Sequence, residues 1–281
     1  MTDDWRGFAS PEWPAFAGAD WLARVMTVAV PDRRHAKQGR DIGRWTLTAG
    51  GRTLVVYLKR HHVLPRRLGW LARLLPSRSY SPGWQEFEHL RWAAARGLPV
   101  PAVHAAGESR RGPLRSFLAV EELHGMLALH ELIPLAAGRL TTRDFETWKR
   151  GLTAELARLT RELHRLRAAH QDLYLCHFYA RVGDIDVTPA DWAGRVVMID
   201  FHRLLRSPVF ATRFRVKDLA QLLFSIDGVT GVTPRDAMRF ERAYRRLGPD
   251  WTTPPAGLRW LVRWKAAQYL RHNRKLAGDS P

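Results

Sequence analysis

The sequence predicts an α+β fold in two lobes, the first small and rich in strands, the second larger and helical, and three patterns carry that prediction. From Arg44 to Lys59 the chain reads as a β-hairpin, with Leu54-Val55-Val56-Tyr57-Leu58-Lys59 following the turn residues Gly50-Gly51. From Trp148 to Leu166, apolar residues recur at helical spacing through Leu152, Leu156, Leu159 and Leu163, the stripe of a long amphipathic helix. Beyond that helix two acidic residues stand at the edges of short strand-like runs: Asp172 after His170-Gln171, and Asp200 after Val196-Val197-Met198-Ile199.

Composition bounds the reading. With 281 residues, 46% of them apolar and 12 of them tryptophan, the chain has enough core-forming material for one large domain or two lobes, which excludes disorder throughout. The single cysteine, Cys176, cannot form an internal disulfide, and Met1-Thr2-Asp3-Asp4-Trp5 lacks the basic-then-apolar pattern of a secretory leader. A cytoplasmic location is expected. No apolar run approaches the roughly 18 residues that a bilayer span requires, so any membrane contact is expected to be peripheral. The formal net charge of +18 attracts polyanions, whether nucleic acid, anionic lipid head groups or phosphorylated glycan, and it is equally compatible with an arginine-rich solvated surface. Two stretches without any Asp or Glu concentrate it: residues 61–80, which include Arg66, Arg67, Arg73 and Arg78, and residues 251–278.

In chain order, Trp5, Phe8, Trp13, Phe16 and Trp21, interleaved with Pro11 and Pro14, read as an ordered arm over residues 1–34. Gly39 and Gly43 fall in the turn before the hairpin, where backbone amides could approach phosphate. Ser81-Pro82-Gly83 punctuates the chain before a helix over Trp84–Arg96, with Phe87, Leu90 and Ala94 on one side and Gly97 closing it. Pro99-Val100-Pro101 leads into strands at Val100–Ala105 and Ser116–Glu121, separated by a turn over Glu108–Pro113. These elements make an N-lobe of residues 35–122 and leave a C-lobe of residues 123–281, the two meeting near residues 121–126. In the C-lobe, Phe178–Val182 and Arg195–Ile199 read as a hairpin around Gly183-Asp184. Further helices are expected over Val216–Ile226, Pro234–Leu247 and Leu258–Lys275.

Phosphoryl transfer from ATP needs a cation for the triphosphate, a carboxylate for magnesium and another to orient the attacking hydroxyl. Lys59 at a strand end, Asp172 after the long helix and Asp200 after a strand supply one of each in that order. Val55-Val56-Tyr57-Leu58-Lys59, His170-Gln171-Asp172 and Asp200-Phe201-His202 resemble the lysine strand, catalytic loop and magnesium-binding triplet of the protein-kinase-like superfamily. More narrowly, His170 to Phe178 and Met198-Ile199-Asp200-Phe201-His202-Arg203, with Trp84 to Pro101, resemble the lipopolysaccharide core kinases of the Kdo/WaaP family over roughly residues 35–225. The resemblance implies a protein-kinase-like bilobal fold, ATP and Mg2+ as cofactors, Lys59 on the α and β phosphates, Asp172 as base and Asp200 on the metal. It further implies Glu86 as the ion-pair partner of Lys59, with Glu88 the alternative, backbone contacts from Glu121 to Leu123 to adenine, and Asp218 as a structural aspartate. His170 corresponds to a residue that stabilises the catalytic loop. His177 stands where protein kinases carry a magnesium-binding Asn, and three roles stay open for it: metal ligation, a hydrogen bond to Asp172 or Asp200, or phosphate contact. His202 in place of the triplet's glycine argues against a flipping switch there.

Other features read more simply. His61 and His62 lack further ligands at zinc spacing, Cys176 reads as a small packed thiol, and Trp70, Leu71, Leu74 and Leu75 beside Arg66, Arg67 and Arg73 form a basic amphipathic stretch suited to membrane docking or to ordinary packing. The function expected is an ATP-dependent kinase acting on a heptose or Kdo hydroxyl of the lipopolysaccharide inner core, with an anionic glycolipid as acceptor. Its basic faces leave room for peripheral contact with the inner membrane and for an acidic carrier protein. The alternatives are a pseudokinase that binds nucleotide without turnover, or a kinase for another sugar, small-molecule or protein hydroxyl. Nucleic-acid binding is disfavoured, because no zinc-finger pattern is present and no helix-turn-helix spacing is convincing.

Overall fold

Alternating apolar and polar residues build the first half of the chain into a six-stranded antiparallel sheet of order β1-β5-β6-β4-β3-β2. Its strands are β1 Trp5–Ala9, β2 Arg34–Lys37, β3 Arg40–Ala49, β4 Arg52–His61, β5 Val103–Ser109 and β6 Arg115–Glu121. The computed structural model describes residues 5–30, 34–37, 39–63, 81–109, 115–206, 211–246 and 258–278. By its internal contacts the chain divides into two units, Met1–Leu123 and His124–Pro281. The expected amphipathic stretch around Arg66 to Leu75, like Arg78, lies outside the described residues.

The hairpin of β3 and β4 turns at Gly50 and Gly51, whose φ angles of 54° and 74° suit the tight turn that matches strand twist. Successive side chains of β4 take opposite faces of the sheet. Val56 and Leu58 join Trp13, Val25, Trp45, Leu47 and Phe117 in the buried core on one face, and Lys59 is left to the other. The N-terminal arm is therefore more than a cover. Its first segment, β1, is the edge strand paired to β5 from Trp5↔Ser109 to Ala9↔Ala105. Two short helices, α1 Trp13–Ala17 and α2 Trp21–Arg24, then place Trp13 against Trp45 and Trp21 against Phe117. Arg60 ties the arm down, donating to Asp41 Oδ1 at 2.7 Å and to the Val28 carbonyl at 2.7 Å.

On the opposite face lies α3, Pro82–Ala94, which starts with Pro in its first turn and buries Phe87, Leu90 and Ala93. Gly97, at φ 74°, closes it: its amide bonds the Ala94 carbonyl and the Leu98 amide the Ala93 carbonyl, the Schellman arrangement. Two local expectations are corrected. Gly43 sits within β3, paired with Leu58, not in the preceding turn. β5 runs from Val103 to Ser109 and not from Val100 to Ala105; Pro101 has no amide for a ladder, and Glu108, expected in a turn, is buried in the strand, accepting from Ser81 Oγ at 2.7 Å.

The second unit is mainly helical. Its first helix, α4 Leu129–Arg139, was not expected, although Leu129, Leu132, Ile133 and Ala136 form a buried stripe at i, i+3, i+4 and i+7; Pro134 and Gly138 disguise it. The long helix α5, Thr142–Arg165, begins earlier than its apolar stripe, because Thr141 caps it by accepting from the Asp144 amide at 3.2 Å. A three-stranded sheet orders β7 Met126–Ala128, β9 Phe178–Arg181 and β10 Val196–Met198 as β10-β9-β7, and β8 Ala168–Ala169 pairs with β11 Leu205–Arg206. β9 and β10 pair antiparallel, as the hairpin reading expects, and the connection between them spans residues 182–195. It is pinned to α5 by Trp148 Nε1 donating to the Asp184 carbonyl at 2.9 Å. α6 Ala211–Ser225 packs on α8 Leu258–Gly278, and α7 Pro234–Arg246 packs on α5. Among the described residues no helix is long and apolar enough to cross a membrane.

Candidate active site

In the first unit, strand alternation turns Lys59 toward α3, where its Nζ meets Glu86 Oε1 at 2.6 Å, with side chains only 14% and 4% exposed. Shielding from water strengthens the attraction between the two charges at the cost of their desolvation, so removing either partner would leave the other charge buried and uncompensated. Glu88, the alternative partner, is engaged elsewhere, accepting from Trp84 Nε1 at 2.9 Å and lying 3.7 Å from Arg6. At the end of β6 the Glu121 amide bonds the Ala102 carbonyl and the Glu122 amide the Val55 carbonyl. Leu123 closes the unit.

In the second unit the chain leaves β8 and enters a loop whose backbone is held by one buried carboxylate. Asp218, on α6, accepts from the His170 amide and the Gln171 amide, each at 2.8 Å, and contacts His164 Nε2 at 3.2 Å. Those bonds support Gln171 in the left-handed conformation, φ 68°. The turn presents Asp172. His170, fully buried, donates from Nε2 to the Ile199 carbonyl at 3.0 Å and so braces this loop to the residue before Asp200. Burial holds its pKa below the ordinary histidine value, which fits a neutral structural imidazole and not a proton carrier.

Asp200 follows β10 with φ 65°, again left-handed, and two histidines, His202 and His177, stand between it and Asp172. His202 Nδ1 lies 2.7 Å from Asp200 Oδ1 and its Nε2 3.8 Å from Asp172 Oδ2. His177 donates from Nδ1 to the Asp172 carbonyl at 2.7 Å and faces Asp200 Oδ2 with Nε2 at 3.7 Å. Of the contacts left open for His177, the structure holds a hydrogen bond to Asp172, through its backbone carbonyl. Burial works against a charged His177, yet the Cys176 sulfur, the Asp172 carbonyl and the Asp200 carboxylate outweigh it, and its pKa lies above the usual value. Cys176 is partly exposed beside it and not packed away as expected.

Among the described residues no group of three or more His, Cys, Asp or Glu side chains is arranged to hold a metal by itself. Mg2+ needs only one or two protein carboxylates when substrate phosphates complete its shell, and the partly exposed Asp200, a hard oxygen donor, fits that requirement.

Around Asp172 stand residues that the sequence reading passed over. Arg203 Nη1 contacts both of its carboxylate oxygens, at 3.0 and 3.2 Å. Gln221 Nε2 lies 3.4 Å from Asp172 Oδ1 and donates to the Tyr174 hydroxyl at 3.0 Å, while its Oε1 accepts from the Leu173 amide. Gln221 is three residues beyond Asp218 on α6, a spacing that puts both on one helix face and could have revealed it.

The model of the lipopolysaccharide kinase (Kdo/WaaP) family matches residues 72–244. The chain is 31% identical over 224 residues to the lipopolysaccharide core heptose(I) kinase WaaP of Pseudomonas aeruginosa, a match covering 74% of this chain and 78% of that protein. It is 31% identical over 197 residues to a 3-deoxy-D-manno-octulosonic acid kinase of Xylella fastidiosa, covering 66% and 70%. A solved structure of WaaP in complex with acyl carrier protein superposes with a TM-score of 0.64 at 26% identity, over 96% of this chain and 97% of that one.

Proposed function

The chain belongs to the lipopolysaccharide kinase (Kdo/WaaP) family, and from that premise we propose that it transfers the γ-phosphoryl group of ATP to a heptose or Kdo hydroxyl of the lipopolysaccharide inner core. The observation that carries the site assignment is the joining of Asp172 and Asp200 through His202 and His177. Asp172 accepts the proton of the acceptor hydroxyl as the new oxygen–phosphorus bond forms and the bond to the leaving ADP breaks. Arg203 and Gln221 orient its carboxylate. Lys59, fixed by Glu86, holds the nucleotide phosphates, and the backbone from Glu121 to Leu123 meets the adenine. Asp200 holds Mg2+, which when bound neutralises charge on the phosphates. His170 and His177 position the two acids.

The test uses purified protein, ATP and deacylated core oligosaccharide, with mass spectrometry of the glycan. Wild type should add a phosphate, and Asp172→Asn should lose about a thousandfold in rate, the scale of a general base. An unchanged rate in that variant would remove Asp172 from the chemistry; nucleotide binding without transfer to any glycan would make the protein a pseudokinase.

The same reading places the protein at the cytoplasmic face of the inner membrane, in peripheral contact with it. Supporting this, α8 carries no acidic residue and presents Trp260 and Trp264, 64% and 46% exposed and stacked at 6.1 Å. An acidic acyl carrier protein is the partner suggested by the solved WaaP complex and by the net charge of +18. A cavity of about 520 Å³ in the second unit, lined by Leu152, Leu156, Leu222, Phe240, Val262 and Ala266 among others, has the apolar chemistry of an acyl chain's surroundings.

A further inference from the structure

Lys217 lies one turn before Gln221 on α6, so it shares the helix face that reaches Asp172. It is half-buried, and among the described residues it has no hydrogen-bond or ion-pair partner. An ammonium group withdrawn from water and left without a bonded acid is costly: burial first, then Arg203, with Lys265 in the same sense, hold its pKa below the ordinary lysine value against the opposing pull of Asp172 and Asp218. Arg203 is half exposed and bound to Asp172. Lys265, on α8, sits 5.4 Å over the Tyr269 ring, and Tyr269, Phe224 and Tyr174 form a chain of ring contacts leading back to the Asp172 loop. The acids near Lys217 are already committed, Asp218 to the backbone of His170 and Gln171, and Asp172 to Arg203. Lys217 thus stands near the proposed base with no acid bonded to it among the described residues, and the rings of Tyr174, Phe224 and Tyr269 put flat aromatic surface close by.

Resting on the kinase reading, we infer that Lys217, Arg203 and Lys265 form an oxyanion subsite for the acceptor, holding a carboxylate or phosphate carried by the sugar beside the hydroxyl that Asp172 deprotonates. The subsite makes the enzyme selective for anionic sugars. Arg203, which now binds Asp172, shifts part of its bonding to the incoming anion and leaves the base free to take a proton.

Two measurements test this. In the first, Lys217 of the wild-type protein is acylated with a limiting amount of acetic anhydride and its modification is followed by peptide mass spectrometry. Deacylated core oligosaccharide should protect it, and the same glycan, carboxyl-reduced and dephosphorylated, should not; preparations lacking only one of the two anions identify which is bound. In the second, Lys217→Met should raise the KM for the native acceptor by about tenfold or more, the worth of a charge-assisted hydrogen bond, with the KM for ATP unchanged, while Lys217→Arg restores it. Protection without phosphate transfer would uphold the subsite and remove the kinase reading. Equal protection by the neutral glycan, or transfer to it with an undiminished kcat/KM, would overturn the subsite and leave the kinase standing.

Discussion

His61, two residues beyond Lys59 on β4, is 7% exposed, and burial, reinforced by the charges of Arg40, Lys59 and His62, lowers its pKa from 6.5 to about 4. The folded protein therefore refuses a proton that the unfolded chain accepts as pH falls below 6.5. Its stability contribution is complete above that value and is lost progressively down to about 4, by at most about 3 kcal/mol. Denaturant unfolding measured between pH 7 and 4.5 should show this slope, and His61→Gln should flatten it; an identical slope in the variant would mean that another group is responsible. Single residues were also where the sequence was easiest to read. Lys59 and Asp200 stand out because each ends an apolar run, and Asp172 because it follows His170-Gln171 directly after the long helical stripe, patterns visible in one dimension. Arg203, Gln221 and Lys217 did not, because what sets them apart is a neighbour distant in sequence: Gln221 matters through Asp172, 49 positions away.

At the scale of elements, a helical glycine ordinarily costs about 1 kcal/mol relative to alanine, so Gly151 on α5 looks like a site for improvement. The structure reverses that expectation. A Cβ at Gly151 would run into the indole of Trp192, which is stacked edge-on against Trp148 at 5.4 Å. Gly151→Ala should therefore destabilise the protein by roughly 1–3 kcal/mol, the cost of overpacking, and Gly151→Ala with Trp192→Leu should recover part of it. A raised thermal midpoint in the single variant would refute this. The elements legible in the sequence were those with an unbroken period, the hairpin of β3 and β4 and the helix α5. α4 escaped because Pro134 and Gly138 interrupt an otherwise regular stripe, and β5 was misplaced because Glu108 looks like a turn residue until Ser81 is seen to satisfy its carboxylate.

For the whole molecule, the net charge of +18 and the acid-free C-terminal helix predict binding to anionic vesicles that weakens as salt rises. Co-sedimentation with phosphatidylglycerol vesicles should fall steeply between 50 and 300 mM salt, on the order of the Debye screening range, and the paired substitution Trp260→Ala and Trp264→Ala should lower it at every salt concentration. Binding that is indifferent to both would assign the exposed tryptophans another role. Composition foretold the charge but not the place of the arm, since a tryptophan-rich N-terminus reads alike whether it covers a sheet or completes one. Here it completes one: Trp5 to Ala9 pair with Ala105 to Ser109. During synthesis on the ribosome, then, the strand Trp5 to Ala9 must wait for roughly a hundred more residues before its hydrogen-bonding partners exist, and through that interval a nascent segment dense in tryptophan stays exposed to chaperones and to other unfinished chains.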